Sequence, residues 1–425
     1  MTSMTTPPSF FPALRILLPF ALGYYLSYVF RTINAVIASD LVADIGLSAA
    51  GLGLLTSAYF LSFAACQLPL GVILDRIGPR KTEAALLLLA AAGSFWFAMA
   101  ETETGLICAR ALIGIGVSAC LMASFKAFVD WFPREKHPVT NGLILMAGGL
   151  GAMSSTAPIE AALQVTDWRG VFLGLAVVGV AASAILFYVV PERPADLKLS
   201  SEESLSDQIK DMGGILRTPM FYRHIPLVVV SQGSFLAALT LWAGPWFRDV
   251  AGLERGPVAI SLLIVATVMT AGYLMTGGTA SRFNRRGFKT ESIVLTGMLF
   301  FMAIQVPIIL GFKTCAIYIW SLFAFFGTSG SVMFAALSQN FPGHLMGRVS
   351  TMMNLLVFLL AFSLQWAMGI IINLFPTSPD GGFDPQGYQA AFLFLFVLQG
   401  LGGIWYWGSG YLKLGGSIPQ QPAPL

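Results

Sequence analysis

Charge is in short supply in this chain: Asp, Glu, Lys and Arg together make up only 11% of its 425 residues, against roughly 25% in a soluble globular chain. So large a deficit excludes a soluble fold built round one big core, since such a fold must still cover a surface. Cysteine is scarcer still. Cys66, Cys108, Cys120 and Cys315 stand singly in apolar runs, with no CxxC or metal-ligand spacing, so they read as small core residues and not as disulfides or ligands. The three histidines, His137, His224 and His344, fall at the ends of apolar runs, and none reads as a proton relay. No Ser/His/Asp, Cys/His or paired-acid constellation is apparent, which disfavours an enzyme. No cofactor and no metal are expected.

What the chain has instead is apolar length. Hydrophobic residues make up 56% of it, and its mean hydropathy is +0.76. The apolar residues divide into segments of about 20, the length that crosses roughly 30 Å of hydrocarbon. We read twelve spans, near 13–37, 51–70, 82–100, 104–128, 139–163, 170–190, 225–247, 258–281, 291–311, 314–340, 348–374 and 388–412. Within lipid each must be a helix, because every backbone N–H and C=O needs an internal partner. The fold class is therefore an all-α polytopic membrane protein. Residues 1–10 are polar and carry Pro7-Pro8, so no cleavable signal peptide is expected ahead of the first span.

The few charges are placed unevenly. With the N-terminus inside, only Arg169, Arg248, Arg255 and Lys313 fall outside, and Arg31, Arg110 and Lys126 lie within spans. The rest of the 24 Lys and Arg sit on the inner side, as the positive-inside bias requires. The expected setting is a bacterial inner membrane with both termini cytoplasmic.

The chain also repeats. Gly71-Val-Ile-Leu-Asp75-Arg76-Ile-Gly78-Pro-Arg80-Lys81 is echoed by Gly277-Gly-Thr-Ala-Ser281-Arg282-Phe-Asn-Arg285-Arg286-Gly287-Phe-Lys289, each followed by Thr-Glu. Phe132-Pro133 is echoed by Phe341-Pro342, and the anchors share nearly one offset, 206 to 209 residues. Between the copies, 191–224 is dense in charge, from Pro191-Glu-Arg-Pro194 through Asp211, with a short surface helix expected at 204–211. The resulting plan is a cytoplasmic tail at 1–12, a six-helix bundle at 13–190, a cytoplasmic linker at 191–224, a second bundle at 225–412 and a tail at 413–425. Two such halves related by an axis along the membrane normal are a transporter plan, with substrate bound between them near the midplane.

In these residues the chain resembles the major facilitator superfamily over 13–412. Gly71xxxAsp75Arg76xGly78xArg80Lys81 is similar to the family's signature loop between helices two and three. Arg110xxxGly114xGly116 is similar to a weaker signature on helix four. Trp168-Arg169xxPhe172 and Pro191-Glu192, at the two ends of helix six, are also common there. Ser281 replaces the acid in the second copy. The proline-glycine signature of the drug–proton antiporter branch is missing from helix five, which reads Gly148-Gly-Leu-Gly151 and Ala157-Pro158. Helix one, from Tyr28xxArg31 to Leu41, resembles the organophosphate:phosphate antiporter branch, whose arginine there binds phosphate. Ala237 stands where that branch has its second arginine. The resemblance implies two pseudo-symmetric six-helix bundles and rocker-switch alternating access.

The candidate sites follow. Gly71, Asp75, Arg76, Gly78, Arg80, Lys81 and Asp130 form a candidate inner gate. Asp75 would face the N-terminus of the helix starting near 348, and the cations would pair with Asp130. Arg31 is the candidate substrate anchor, since a guanidinium inside a span faces a cavity or a partner by default and suits a carboxylate or phosphate. Tyr24 and Tyr28 share its helical face, with Asn34 adjacent. Gln232 and Trp242 on helix seven, and Asn354 and Gln365 on helix eleven, are further candidates. The alternative for the amides is interhelical hydrogen bonding, and for Trp242 an interfacial belt. Arg110 and Glu160 are the candidates for coupling, with Asp40 a second choice for the acid; the alternative for Arg110 is an arginine fixed by carbonyls of neighbouring helices. Lys126 reads as a snorkelling lysine.

The expected activity is secondary active transport of a small organic solute, anionic or zwitterionic. The partners are that solute, a proton or other coupling ion, and the lipid bilayer. A monomer is expected, and no nucleic acid. Two alternatives stand: proton-coupled efflux of amphipathic compounds, and a transporter-like sensor without net flux.

Overall fold

The computed structural model describes residues 10–192, 205–287, 290–378 and 382–411. Tail residues 1–9 and 412–425, linker residues 193–204, Lys289 and Asp380 lie outside the described residues. Those described are mostly helical, joined by short turns, with an isolated bridge between Thr377 and Phe383. In chain order the helices are α1 (Phe10–Thr32), α2 (Asn34–Ile45), α3 (Ala49–Ile77), α4 (Pro79–Met99), α5 (Glu103–Gly116), α6 (Cys120–Trp131), α7 (His137–Ser154), α8 (Ala157–Ala162) and α9 (Trp168–Val189). There follow α10 (Leu205–Leu216), α11 (Pro219–Ala237), α12 (Ala243–Asp249), α13 (Arg255–Asn284), α14 (Thr290–Ile309), α15 (Ala316–Gly327), α16 (Gly330–Ser338), α17 (Gly343–Ile372) and α18 (Pro385–Tyr411).

Eleven helices or helix pairs among the described residues are long and apolar enough to cross a bilayer. The remaining predicted span, the fifth at 139–163, is present as α7 and α8, interrupted at Ser155–Thr156. Several predicted spans are likewise broken. The first is interrupted at Ile33, the fourth between Gly116 and Cys120, and the seventh by a π-helical turn, Ala238–Trp242. A hydropathy window cannot register these breaks, because one irregular turn leaves the apolar count unchanged.

Two predicted loops are in fact helical. Residues 38–50 were expected as an outer loop, but α2 continues to Ile45, where Gly46 at φ 74° closes it and the Ser48 hydroxyl caps α3 by accepting from the Gly51 N–H. The segment 71–81 was expected as a charged turn. Instead α3 runs on to Ile77, the chain reverses at Gly78 (φ 88°), and Pro79 opens α4. Glycine supplies the positive φ and proline the preset first helical turn. The second copy repeats the device with Gly287 at φ 89° between α13 and α14.

Helices α1 to α9 pack mainly on one another, and so do α11 to α18. The closest seam between the two sets is α3 against α17. It runs from Ala49 beside Gly369, through Phe63 and Phe358 with ring centroids 4.5 Å apart, to Gln67 and Asn354. The linker helix expected at 204–211 is α10, which extends to Leu216 and rests on both α3 and α17.

Candidate functional site

Arg31 lies on the last turn of α1, just before the break at Ile33, and is 7% exposed. Its guanidinium sits over the ring of Tyr28 at 4.5 Å, of Phe358 at 5.3 Å and of Phe63 at 5.5 Å. Phe358 belongs to α17, so the cation stands at the seam between the two sets of helices. Such contacts are each worth about 0.5–2 kcal/mol, but they do not neutralise the charge. No carboxylate lies within salt-bridge range of Arg31 among the described residues, and its Nε is buried without a partner. A desolvated, uncompensated cation is costly. An anion arriving from solution would relieve that cost.

Aromatic groups frame this cation. Tyr24 and Tyr28 meet edge to face at 5.2 Å and pack on α7 where Gly148 leaves room for both rings. Tyr273 of α13 is within electrostatic reach of Tyr28 and Arg31 from the opposite side. Tyr59 donates to the Ser27 carbonyl at 3.2 Å, and Arg110 lies over its ring at 5.4 Å. Sequence reasoning missed Phe63, Phe358, Tyr59 and Tyr273, since aromatics inside apolar spans give no local signal distinguishing lining from packing.

The remaining sequence candidates sort by what they touch. Asn34 is fully buried and donates to the Thr56 hydroxyl at 2.9 Å. Gln232 donates to the Gly327 carbonyl at 2.8 Å. Trp242 is fully buried on the π-helical turn, away from any interfacial belt, and donates to the Gln365 carbonyl at 3.2 Å. The Gln365 amide donates to Thr240 at 3.0 Å and to the Ala237 carbonyl at 3.3 Å, tying α17 to that same irregular turn. Asn354 reaches Gln67 across the seam at 3.4 Å, longer than a good hydrogen bond. That amide pair lies one turn along α3 and α17 from Phe63 and Phe358, or about 6 Å. Arg110 is fully buried and donates to the Phe30 carbonyl at 2.8 Å, bracing α1 just before its break, while its Nε and second amino group lack partners.

The two ends of the bundle hold different ion pairs. At the Asp40 end, Arg255 at the start of α13 forks onto both Asp40 oxygens at 2.6 Å each. The same guanidinium donates from Nε to Glu160 at 2.9 and 3.0 Å. Glu160 also accepts from Gln164 at 3.1 Å. This clasp joins α2 and α8 to α13 across the seam. Beside it, Gly244 of α12 lies so close to the Ala35 carbonyl of α2 that no Cβ would fit. A cavity of about 410 Å³ lined by Ser39, Glu160, Gly244 and Arg255 lies at this end.

At the opposite end some pairings differ from those expected. Asp75 accepts from Lys126 of α6 at 2.5 Å, a partner not foreseen for it. Lys126 is thus half of an ion pair and not a snorkelling side chain. Arg80 and Lys81 were expected to pair with Asp130. They approach Glu192 at 3.6 and 3.7 Å, and Arg80 donates to the Phe187 carbonyl at 2.8 Å. The reason is geometric. Because the chain reverses at Gly78 alone, both cations stand on the first turn of α4 and meet the end of α9, whose free carbonyls attract positive charge. Asp130 shares a cavity of about 200 Å³ with them, and Arg76 is exposed.

Comparison with known proteins gives a consistent result. A family model described as Major Facilitator Superfamily matches residues 20–365. A D-galactonate transporter of Escherichia coli O6:H1 is 24% identical over 77% of this chain and 82% of that protein. A probable L-galactonate transporter of Escherichia coli K12 is 28% identical over 42% of this chain and 39% of its own. A multidrug resistance protein, MdtL, of Escherichia coli is 25% identical over 62% and 64%. Among solved structures, a bacterial homologue of the human lysosomal transporter Spinster, inward-facing and unoccupied, superimposes with TM-score 0.78 at 16% identity, over 98% of this chain and 100% of that one. A D-xylose–proton symporter gives TM-score 0.69 at 16% identity, over 96% and 98%.

Proposed function

Because the chain belongs to the major facilitator superfamily and is a secondary transporter embedded in the membrane, we propose that its cargo is a sugar acid of the galactonate type. The single observation that carries this reading is Arg31: a buried cation at the seam, ringed by aromatics from both sides and lacking a counter-charge. A carboxylate would take the bidentate fork of the guanidinium. The Gln67–Asn354 amides, a turn away, retain donor and acceptor capacity for the hydroxyls of a polyhydroxylated chain. The galactonate transporters among the relatives support this class of substrate.

Transport follows from which contacts cross the seam. The Asp40–Arg255–Glu160 clasp and the Ala35–Gly244 approach hold one end shut, and in this reading that end is the outer gate. The pairs around Asp75, Arg80 and Lys81 tie α3 to α6 and α4 to the end of α9 within the first half. The distribution of Lys and Arg supports placing the Asp75 end and both termini in the cytoplasm. A single chain supplies both sides of the site, so a monomer suffices, and the reading assigns no catalytic step to it.

The test is a binding panel by thermal shift and calorimetry on the purified protein, covering sugar acids, the matching neutral sugars and organic cations. Sugar acids are expected to raise the melting temperature and the neutral sugars to leave it unchanged. Binding of the neutral sugars or the cations without the acids overturns the reading.

A further inference from the structure

One buried charge-bearing group takes no part in the account above. Glu83, on the second turn of α4, is fully buried, and both of its carboxylate oxygens lack a hydrogen-bond partner. It presses against the backbone of Gly23 in α1, where a Cβ would collide with Oε1, and Leu87 lies alongside. Among the described residues, the titratable group that interacts with it is the Cys120 thiol at the start of α6, a weak donor that brings no charge. From α9, Ser183 donates to the Ala84 carbonyl and brings no charge. A bare carboxylate in such a place is expensive, whereas a carboxylic acid is far less so.

The duplication supplies an internal control. Glu291 holds the matching place in the second half, after the same Thr and just beyond the matching positive-φ glycine. Glu291 is half-exposed and well partnered. It meets His224 Nε2 at 2.8 Å and accepts from the Tyr406 hydroxyl. The position therefore tolerates a satisfied carboxylate, and isolation is a property of the first half alone. A cavity approaches Glu83 from one end. The 200 Å³ cavity at the Asp75 end is lined by Phe20, Pro79 and Ala127, with Arg80, Lys81, Asp130 and Glu192 around it. Phe20 and Pro79 lie about one turn short of Gly23 and Glu83.

We propose that Glu83 carries the coupling proton of this transporter. In the state seen here its carboxyl is protonated. When the halves rock and water reaches it from the Asp75 end, its O–H bond breaks, the proton passes to a water molecule in the cavity, and a carboxylate remains until reprotonation. Loss and gain of that proton bias which end of the bundle is open. The proposal rests on the transporter reading but not on the identity of the cargo.

Two measurements without substrate test it apart from that reading. Infrared spectra of the purified protein at neutral pH should contain a protonated-carboxyl C=O stretch that Glu83→Gln removes. Loss of an ionised-carboxylate band instead overturns the proposal. Ser39→Cys, in a background lacking the exposed Cys108 and Cys315, reports opening of the Asp40 end through its labelling rate. That rate should depend on pH with Glu83 present and lose the dependence in Glu83→Gln. An unchanged pH profile overturns the proposal. Should the glutamine variant fail to fold, Glu83→Leu serves as the second neutral variant. In vesicles loaded with a sugar acid, Glu83→Gln should retain exchange and lose accumulation driven by a pH gradient. Wild-type protein that moves no sugar acid refutes the cargo and leaves the first two measurements to decide on Glu83.

Discussion

At the scale of single residues, the molecule turns on a few charges placed where lipid-embedded helices tolerate them poorly. Arg31 and Arg110 are both buried, yet they differ in use: Arg110 spends a donor on the Phe30 carbonyl, while Arg31 faces rings of both halves. Arg31→Gln should therefore weaken sugar-acid binding at least about 30-fold by calorimetry, since removing one partner of a buried charge pair costs about 2–5 kcal/mol. The melting temperature of the unliganded protein should hold or rise, because an uncompensated cation has been removed. Arg31→Lys should recover only part of the affinity, a point charge replacing a fork. The sequence made Arg31 legible because a guanidinium inside an apolar run is conspicuous. Glu83 was overlooked for the opposite reason. It follows a charged turn and reads as part of it, and only the approach of Gly23 reveals that it is enclosed.

At the scale of helices, small departures from regularity set the geometry. The interruption at Ile33 separates the Arg31 turn of α1 from α2, which carries Asp40 to the clasp, and Gly78 folds two spans together in a single residue. Hydropathy located these spans but not their breaks, and it ended two helices too early where polar residues continue an intact helix. Register across a seam has no local signature, so the true partners of Asp75, Arg80 and Lys126 emerged only with the fold. Two outcomes belong to this scale. Arg255→Gln leaves Glu160 nearly buried without its cation, so it should favour opening of the Asp40 end. Labelling of Ser39→Cys is then expected to accelerate roughly tenfold, the equivalent of about 1.4 kcal/mol. Gly244→Val should act in the same direction by steric means, because its side chain would strike the Ala35 carbonyl. A labelling rate equal to that of the parent in both variants would show that neither contact closes that end.

At the scale of the whole molecule, the duplication organises everything else. The glycines at φ 88° and 89°, one in each half, turn matching helix pairs, but the halves have diverged in their charge. The first keeps two uncompensated arginines and an isolated glutamate; the second satisfies its matching glutamate with His224 and Tyr406. The unsatisfied charges thus lie in the first half, while the second supplies Arg255 to the clasp and the surface against which the first rocks. Counterflow in proteoliposomes tests this most directly, with unlabelled galactonate inside, labelled galactonate outside, and wild type compared with Arg31→Gln at equal incorporation. The account predicts rapid exchange by wild type and exchange at the level of protein-free vesicles for the variant. Equal exchange by the two proteins would contradict it.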